Sequence, residues 1–184
     1  IHMLRSVSLL GTFLALLVAV PQAADAQNPQ TREGFFIGFG LGAGSFGAEG
    51  SSERETGGAG YLRIGGALSP QLLLAGESAA WTKSEGGGRL THANLSAIVQ
   101  FYPSATSGFY LKGGAGLSQL RISISGGGGS ISAEENGLGL TAGLGYDIRL
   151  GTSFSLSPYG SFAWGSFDGG SANHGQLGLG VTWH

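Results

Sequence analysis

The 184 residues contain no cysteine, five prolines and one methionine, and only 11 % of them are charged. Without cysteine the chain builds neither a disulfide framework nor a thiolate metal site. So few charges, at a net −2, leave no electrostatic footprint for nucleic acid. Low charge together with 41 % hydrophobic residues also excludes intrinsic disorder. Good helix formers are diluted as well, because glycine fills 37 positions, against a usual share of roughly 7 %. Each interior glycine costs a helix about 1 kcal/mol relative to alanine. Five prolines and no strict three-residue period rule out a collagen helix. What remains is one all-β domain.

Its first segment reads as an address. Ile1 and His2 precede Met3 and read as a cloning or translation remnant. From Met3 the order is one basic residue, Arg5, then an apolar run from Leu9 to Val20, then Pro21 and the small-residue series Ala24-Asp25-Ala26. That is the order of a secretory signal peptide over residues 3–26, cut after Ala26. The apolar run is too short for a membrane-spanning helix, which needs about 20 residues. Residues 27–33 are then a periplasmic lead, and 34–184 form the folded domain of an exported protein.

From Gly34 onward the sequence alternates with period 2, the mark of strands with two unlike faces. Phe35, Ile37, Phe39, Leu41 and Ala43 alternate with Gly34, Phe36, Gly38, Gly40, Gly42 and Gly44. Leu138, Leu140, Ala142, Leu144, Tyr146, Ile148 and Leu150 alternate with Gly137, Gly139, Thr141, Gly143, Gly145, Asp147 and Arg149. A last run sets Leu177, Leu179, Val181 and Trp183 against Gln176, Gly178, Gly180 and Thr182. Further strands are expected near 60–68, 72–82, 90–102, 109–121 and 154–167, which makes eight. The connections alternate too: short ones near 69–71, 103–107 and 151–153, longer polar or glycine-rich ones at 47–59, 83–89, 125–136 and 168–174.

Which face is apolar decides the compartment. One face is almost purely Leu, Ile, Val, Phe and Ala. The other mixes glycine with Arg63, Glu77, His92, Asn94, Gln100, Lys112, Asp147 and Arg149. In a soluble core those charges are expensive; in an outer-membrane barrel they face the interior while the aliphatics face lipid. Aromatics near the strand ends suggest interfacial girdles: Phe101, Tyr102, Phe109, Tyr110, Tyr146, Phe154 and Trp183 at the short turns, and Trp81, Trp164 and Phe167 near the long loops. The fold expected is a single eight-stranded antiparallel up-and-down transmembrane β-barrel in the outer membrane, with short periplasmic turns and longer extracellular loops.

This pattern resembles the small outer-membrane barrels of the opacity-protein and outer-membrane-protein-A-like kind. The resemblance is carried by the opening run Gly34–Gly44, by Phe109–Leu117, by Leu138–Asp147 and by the final strand. Gln176, Gly178, Val181 and Trp183 look like the C-terminal assembly signal of such barrels, with His184 as an extra residue after the aromatic. The resemblance implies outer-membrane lipids, lipopolysaccharide and the outer-membrane assembly machinery as partners. It names no extracellular partner, because the same barrel hosts adhesion, anchoring, small-molecule passage and lipid modification.

Motifs for chemistry are sparse. Gly42–Gly47 satisfies G-x-G-x-x-G, but no helix follows, so no cofactor is expected. His92 shares a face with Ser96 at about 13 Å, too far for a nucleophile and its base, so no catalytic residues are assigned. His92, His174 and His184 show no metal-ligand spacing. Glu53, Glu55, Glu134 and Glu135 make two loops acidic, which reads as a solvated surface. In an eight-stranded barrel the lumen is just wide enough to be filled by side chains. The glycines Gly38, Gly40, Gly42, Gly178 and Gly180 are therefore expected to make room for Tyr110, Lys112, His92 and Gln100 on the far wall. A turn at Ser69-Pro70-Gln71 pairs Leu68 with Leu72 and Ala67 with Leu73, and sets Arg63 opposite Glu77. The reading is a non-enzymatic structural or surface-interaction barrel with a filled lumen. Its alternative is a narrow channel or carrier of small or apolar ligands, with a lipid-modifying enzyme behind both.

Overall fold

The computed structural model describes residues 32–126 and 129–184; the signal segment lies outside them. All regular structure there is β. The strands are β1 (Phe35–Ala48), β2 (Glu55–Ser69), β3 (Leu72–Glu85), β4 (Gly88–Phe101), β5 (Phe109–Gly126), β6 (Gly129–Tyr146), β7 (Phe154–Phe167) and β8 (Gly170–Trp183). A two-residue piece, Ile148–Arg149, continues β6 past Asp147 and keeps its register on β7. Each strand pairs antiparallel with its chain neighbours, and β1 pairs with β8, so the sheet closes into a barrel of eight. Closure removes the free edges that an open sheet presents.

The alternation places the faces as expected. Leu41 and Leu177 are each 74 % exposed on the outside, whereas Arg63, Glu77 and His92 are 2 %, 1 % and 0 % exposed inside. Only lipid makes such an exterior favourable. Leu73 and Ile98 are apolar exceptions that turn inward and are buried.

Three expectations need correction. The segments read as long extracellular loops are mostly strand: the outer connections are only 49–54, 86–87 and 168–169, with 127–128 outside the described residues. The longer polar stretches of that end are paired ribbons rising above the apolar band. Gly86 and Gly87, at φ 57° and 82°, supply the two left-handed residues that a two-residue hairpin needs. The second correction concerns the β2–β3 turn. Arg63↔Glu77 and Ala67↔Leu73 pair as expected, but Ser69, not Leu68, pairs with Leu72, and the extra residue is absorbed as an irregularity between Ala67 and Ser69. The third concerns the aromatics. Phe101, Phe109, Phe154 and Trp183 are outward and exposed, yet Tyr102, Tyr110 and Trp81 are buried inside and Phe167 packs against the upper lumen. Strand parity overrides nearness to a turn.

Candidate functional site

The lumen is filled in three levels. At the periplasmic end Arg32, just before β1, reaches under the barrel. Its guanidinium donates to the Ser107 carbonyl at 2.6 Å and to those of Pro70 and Ala105 at 3.3 Å. It lies 3.5 Å from the centroid of the Tyr102 ring, a cation–π contact on a buried aromatic. Phe36, Leu73, Tyr102 and Tyr110 pack together above it, and the His184 ring stacks on Phe36 at 6.0 Å.

The middle level is ionic. Glu77 Oε2 accepts from Arg63 Nε at 2.8 Å and forms an ion pair with Arg63 Nη2 at the same distance, and Lys112 Nζ approaches Oε1 and Oε2 at 2.5 and 2.6 Å. One carboxylate thus serves two cations, all three buried. From Arg63 a one-way chain descends: Nη1 donates to Gln100 Oε1, Gln100 Nε2 donates to the Tyr102 hydroxyl, and that hydroxyl donates to Asp147 Oδ2 at 2.6 Å. Ser157 donates to the other Asp147 oxygen at 2.6 Å. Arg149 is buried near this lower end. Tyr61 and Tyr159 meet edge to face at 4.8 Å beside the cluster.

The upper level carries no formal charge in its hydrogen-bond chain. Asn94 Nδ2 donates to the carbonyls of Leu140 and Trp164, which fixes its Oδ1 as an acceptor from Ser118. The Ser118 proton is thereby committed, so at 2.9 Å His92 Nε2 must be the donor to Ser118 Oγ. His92 Nδ1 then accepts from His174 Nδ1 at 2.8 Å. Trp81, stacked on Phe46 at 4.9 Å and donating to the Gly44 carbonyl, closes the level from above with Ala172.

The eight lumen residues singled out in the sequence are all buried; seven of them fall into two networks, and Arg149 lies near the lower end. Arg63, Glu77, Gln100, Lys112 and Asp147 belong to the lower one, and His92 and Asn94 to the upper. Ser118 and His174 were missed because each comes from a different strand, although both follow the inward parity. The glycines are used differently from expectation. Gly40 faces Tyr61, and a Cβ built on it would stand 2.4 Å from the Tyr61 ring and 2.8 Å from that of Tyr159. Lys112 and Tyr110 likewise lie over their own ladder partners, Gly143 and Gly145. Long side chains therefore fold sideways onto neighbouring glycines instead of crossing the lumen to Gly38, Gly42 or Gly178. In the terminal strand Gln176 and Gly178 face inward, with Gln176 donating to Ser161 at 2.8 Å, while Val181 and Trp183 have the outward parity. His92 and His174 meet and His184 sits at the opposite end. Among the described residues no three His, Cys, Asp or Glu side chains are grouped to hold a metal ion. Gly42–Gly47 lies within β1.

At the extracellular rim Lys83 donates to Glu55 and pairs with Glu85; the bond to Glu55, then that to Glu85, hold its pKa above the ordinary lysine value.

A closed eight-stranded barrel with lipid-facing aliphatics and a packed polar lumen is an outer-membrane β-barrel protein. The chain belongs to the autotransporter beta-domain family, whose model matches residues 23–183. Comparison with curated proteins gives no significant match. Among solved structures it is similar to Ail, the attachment invasion locus protein of Yersinia pestis, at TM-score 0.63 and 17 % identity, over 83 % of this chain and 100 % of that one. It is also similar to Neisserial surface protein A, at TM-score 0.59 and 21 % identity, over 83 % and 98 % of the two chains. Identities this low speak for the fold.

Proposed function

We propose that this protein is a sealed, non-enzymatic outer-membrane barrel that acts through its extracellular surface. The observation that carries the reading is the filled lumen, with buried side chains at three levels and Arg32 beneath them. The upper level also argues against catalysis. Ser118 gives its proton to Asn94 and receives one from His92, so the imidazole faces the hydroxyl with a proton and not with the lone pair a general base needs. Lipid A from cells with and without the protein is therefore expected to have the same mass spectrum. Single-channel recording in planar bilayers tests the seal: silence is the expected result, and steady open levels would make it the narrow channel of the alternative reading.

The terminal strand supports a second part of the reading. It closes the barrel by pairing Trp183 with Ile37 and with Phe154, so the segment carrying Gln176, Gly178, Val181 and Trp183 completes the sheet. We take it as the piece presented to the assembly machinery. Trp183→Asp is expected to lower the folded, heat-modifiable yield more than His184→Asp; equal yields would refute that role.

A further inference from the structure

His92 on β4 and His174 on β8 are both fully buried, and their rings meet edge to face at 4.9 Å. The rings of Phe46 and Phe167 pack at an angle against His92, at 5.7 and 6.1 Å. The hydrogen bonds assign each ring proton. His174 donates from Nδ1 to His92 Nδ1, and His92 donates from Nε2 to Ser118. Both rings are therefore neutral. One ring lone pair is left over, at His174 Nε2, which is buried with no hydrogen-bond partner among the described residues.

An added proton has only two places to go. The first is His174 Nε2, which makes a buried cation while the bond to His92 stays. The charges that act on that ring are those of Arg54 and Lys112, both of the same sign. The second is His92 Nδ1, where a proton opposes the N–H of His174 and severs the pair. The carboxylates around this level are engaged elsewhere or exposed. Glu77 below is held by Arg63 and Lys112. At the rim Glu55 and Glu85 pair with Lys83, and Glu135 accepts from the Gly169 N–H. Asp168 is exposed in the β7–β8 connection. From the remaining walls Phe46, Trp81, Leu120, Phe167 and Ala172 offer only apolar contact. A cation buried here has no counter-ion.

We infer that the upper lumen is an acid-operated plug: protonation of His174 and then of His92 expels the pair toward the extracellular mouth and uncovers Phe46 and Trp81, while the ionic level below stays packed. The packed state binds these protons less readily than the opened one. The plug is therefore fully formed above the ordinary histidine pKa of about 6.5 and is lost as the pH falls below it. Its position gives the direction of opening. His92 and His174 each stand three residues above the last outward leucine of their strand, Leu95 and Leu177, at the aqueous end. The inference rests on the reading of the lumen as sealed at neutral pH.

The test uses the full chain refolded in nanodiscs with Trp164→Phe and Trp183→Phe, which leaves Trp81 as its one tryptophan. From about pH 7.5 to about pH 4.5 its emission is expected to shift to the red and acrylamide quenching to rise several-fold, while the β-sheet circular dichroism holds. With His92→Gln and His174→Gln added, both changes are expected to vanish, because glutamine still bonds and takes no charge. That variant keeps Glu55, Glu85 and Glu135, so a shift that persists in it assigns the response to the rim carboxylates and overturns the inference. A Trp81 that stays shielded in acid overturns it too, as does loss of the sheet signal together with the shift, which is acid unfolding. Should the double variant not fold, nitrogen NMR of the wild-type imidazoles decides. The expected neutral state has a bare Nε2 on His174 and a bare Nδ1 on His92, and both are protonated in acid. Rings that keep their neutral tautomers in acid contradict the inference. Steady conductance at neutral pH overturns the sealed-lumen reading instead, and the imidazole titration then stands on its own.

Discussion

The middle and the upper lumen solve one problem in different ways. Both bury polar groups that cost several kcal/mol if left without partners. In the middle the solution is ion pairing, with Glu77 between Arg63 and Lys112. Above, it is direction, with each donor from His174 to Asn94 aimed at one acceptor and the end tied to main-chain carbonyls. Ion pairing depends on which charges are present, whereas direction depends on which atom carries each proton. The two regions should therefore respond differently to the same kind of substitution.

The largest effect is expected from Glu77→Gln. It leaves two buried cations without a counter-ion, and removing one side of a buried ion pair costs about 3–5 kcal/mol. Urea unfolding in detergent micelles should show this as a large fall in midpoint. In the upper level Asn94→Leu keeps the charge unchanged but leaves the Ser118 hydroxyl proton without its acceptor, for an expected loss of about 1–3 kcal/mol. Gly40→Ala probes the seam between the regions. The new methyl must displace the rings of Tyr61 and Tyr159, at about 1–3 kcal/mol by the same assay. The smallest change is expected from His174→Phe, which removes only the first donor and leaves His92 Nδ1 as a lone acceptor, about 1 kcal/mol. A loss at position 174 equal to that at position 77 would erase the distinction between the two levels.

The sequence made these regions legible to different degrees. Period-2 parity was enough for the lipid face and the strand count, because side-chain direction in a strand is fixed by position alone, and the turn placed at Ser69-Pro70-Gln71 added the register that sets Arg63 opposite Glu77. It was not enough for Lys112 as a second partner of Glu77, nor for the meeting of His92 with His174. Those contacts join strands distant in the chain and depend on barrel stagger, which no local pattern carries. Tyr102 and Trp81 were misplaced because nearness to a turn was given more weight than parity. The outer ribbons were missed because serine and glycine read as loop even where isoleucine alternates among them, as at Ile122, Ile124 and Ile131.

The central claim is that Glu77 is the shared counter-ion of two buried cations. A double-mutant cycle on Lys112→Met and Glu77→Met, by equilibrium unfolding in micelles, tests it most directly. In the wild-type background Lys112→Met is expected to destabilise by about 1 kcal/mol, since Arg63 still pairs with Glu77. In the Glu77→Met background the same change removes a buried cation with no partner and is expected to stabilise. An effect of the same sign and size in both backgrounds would mean that the cluster is screened by water and that the lumen is not sealed as described.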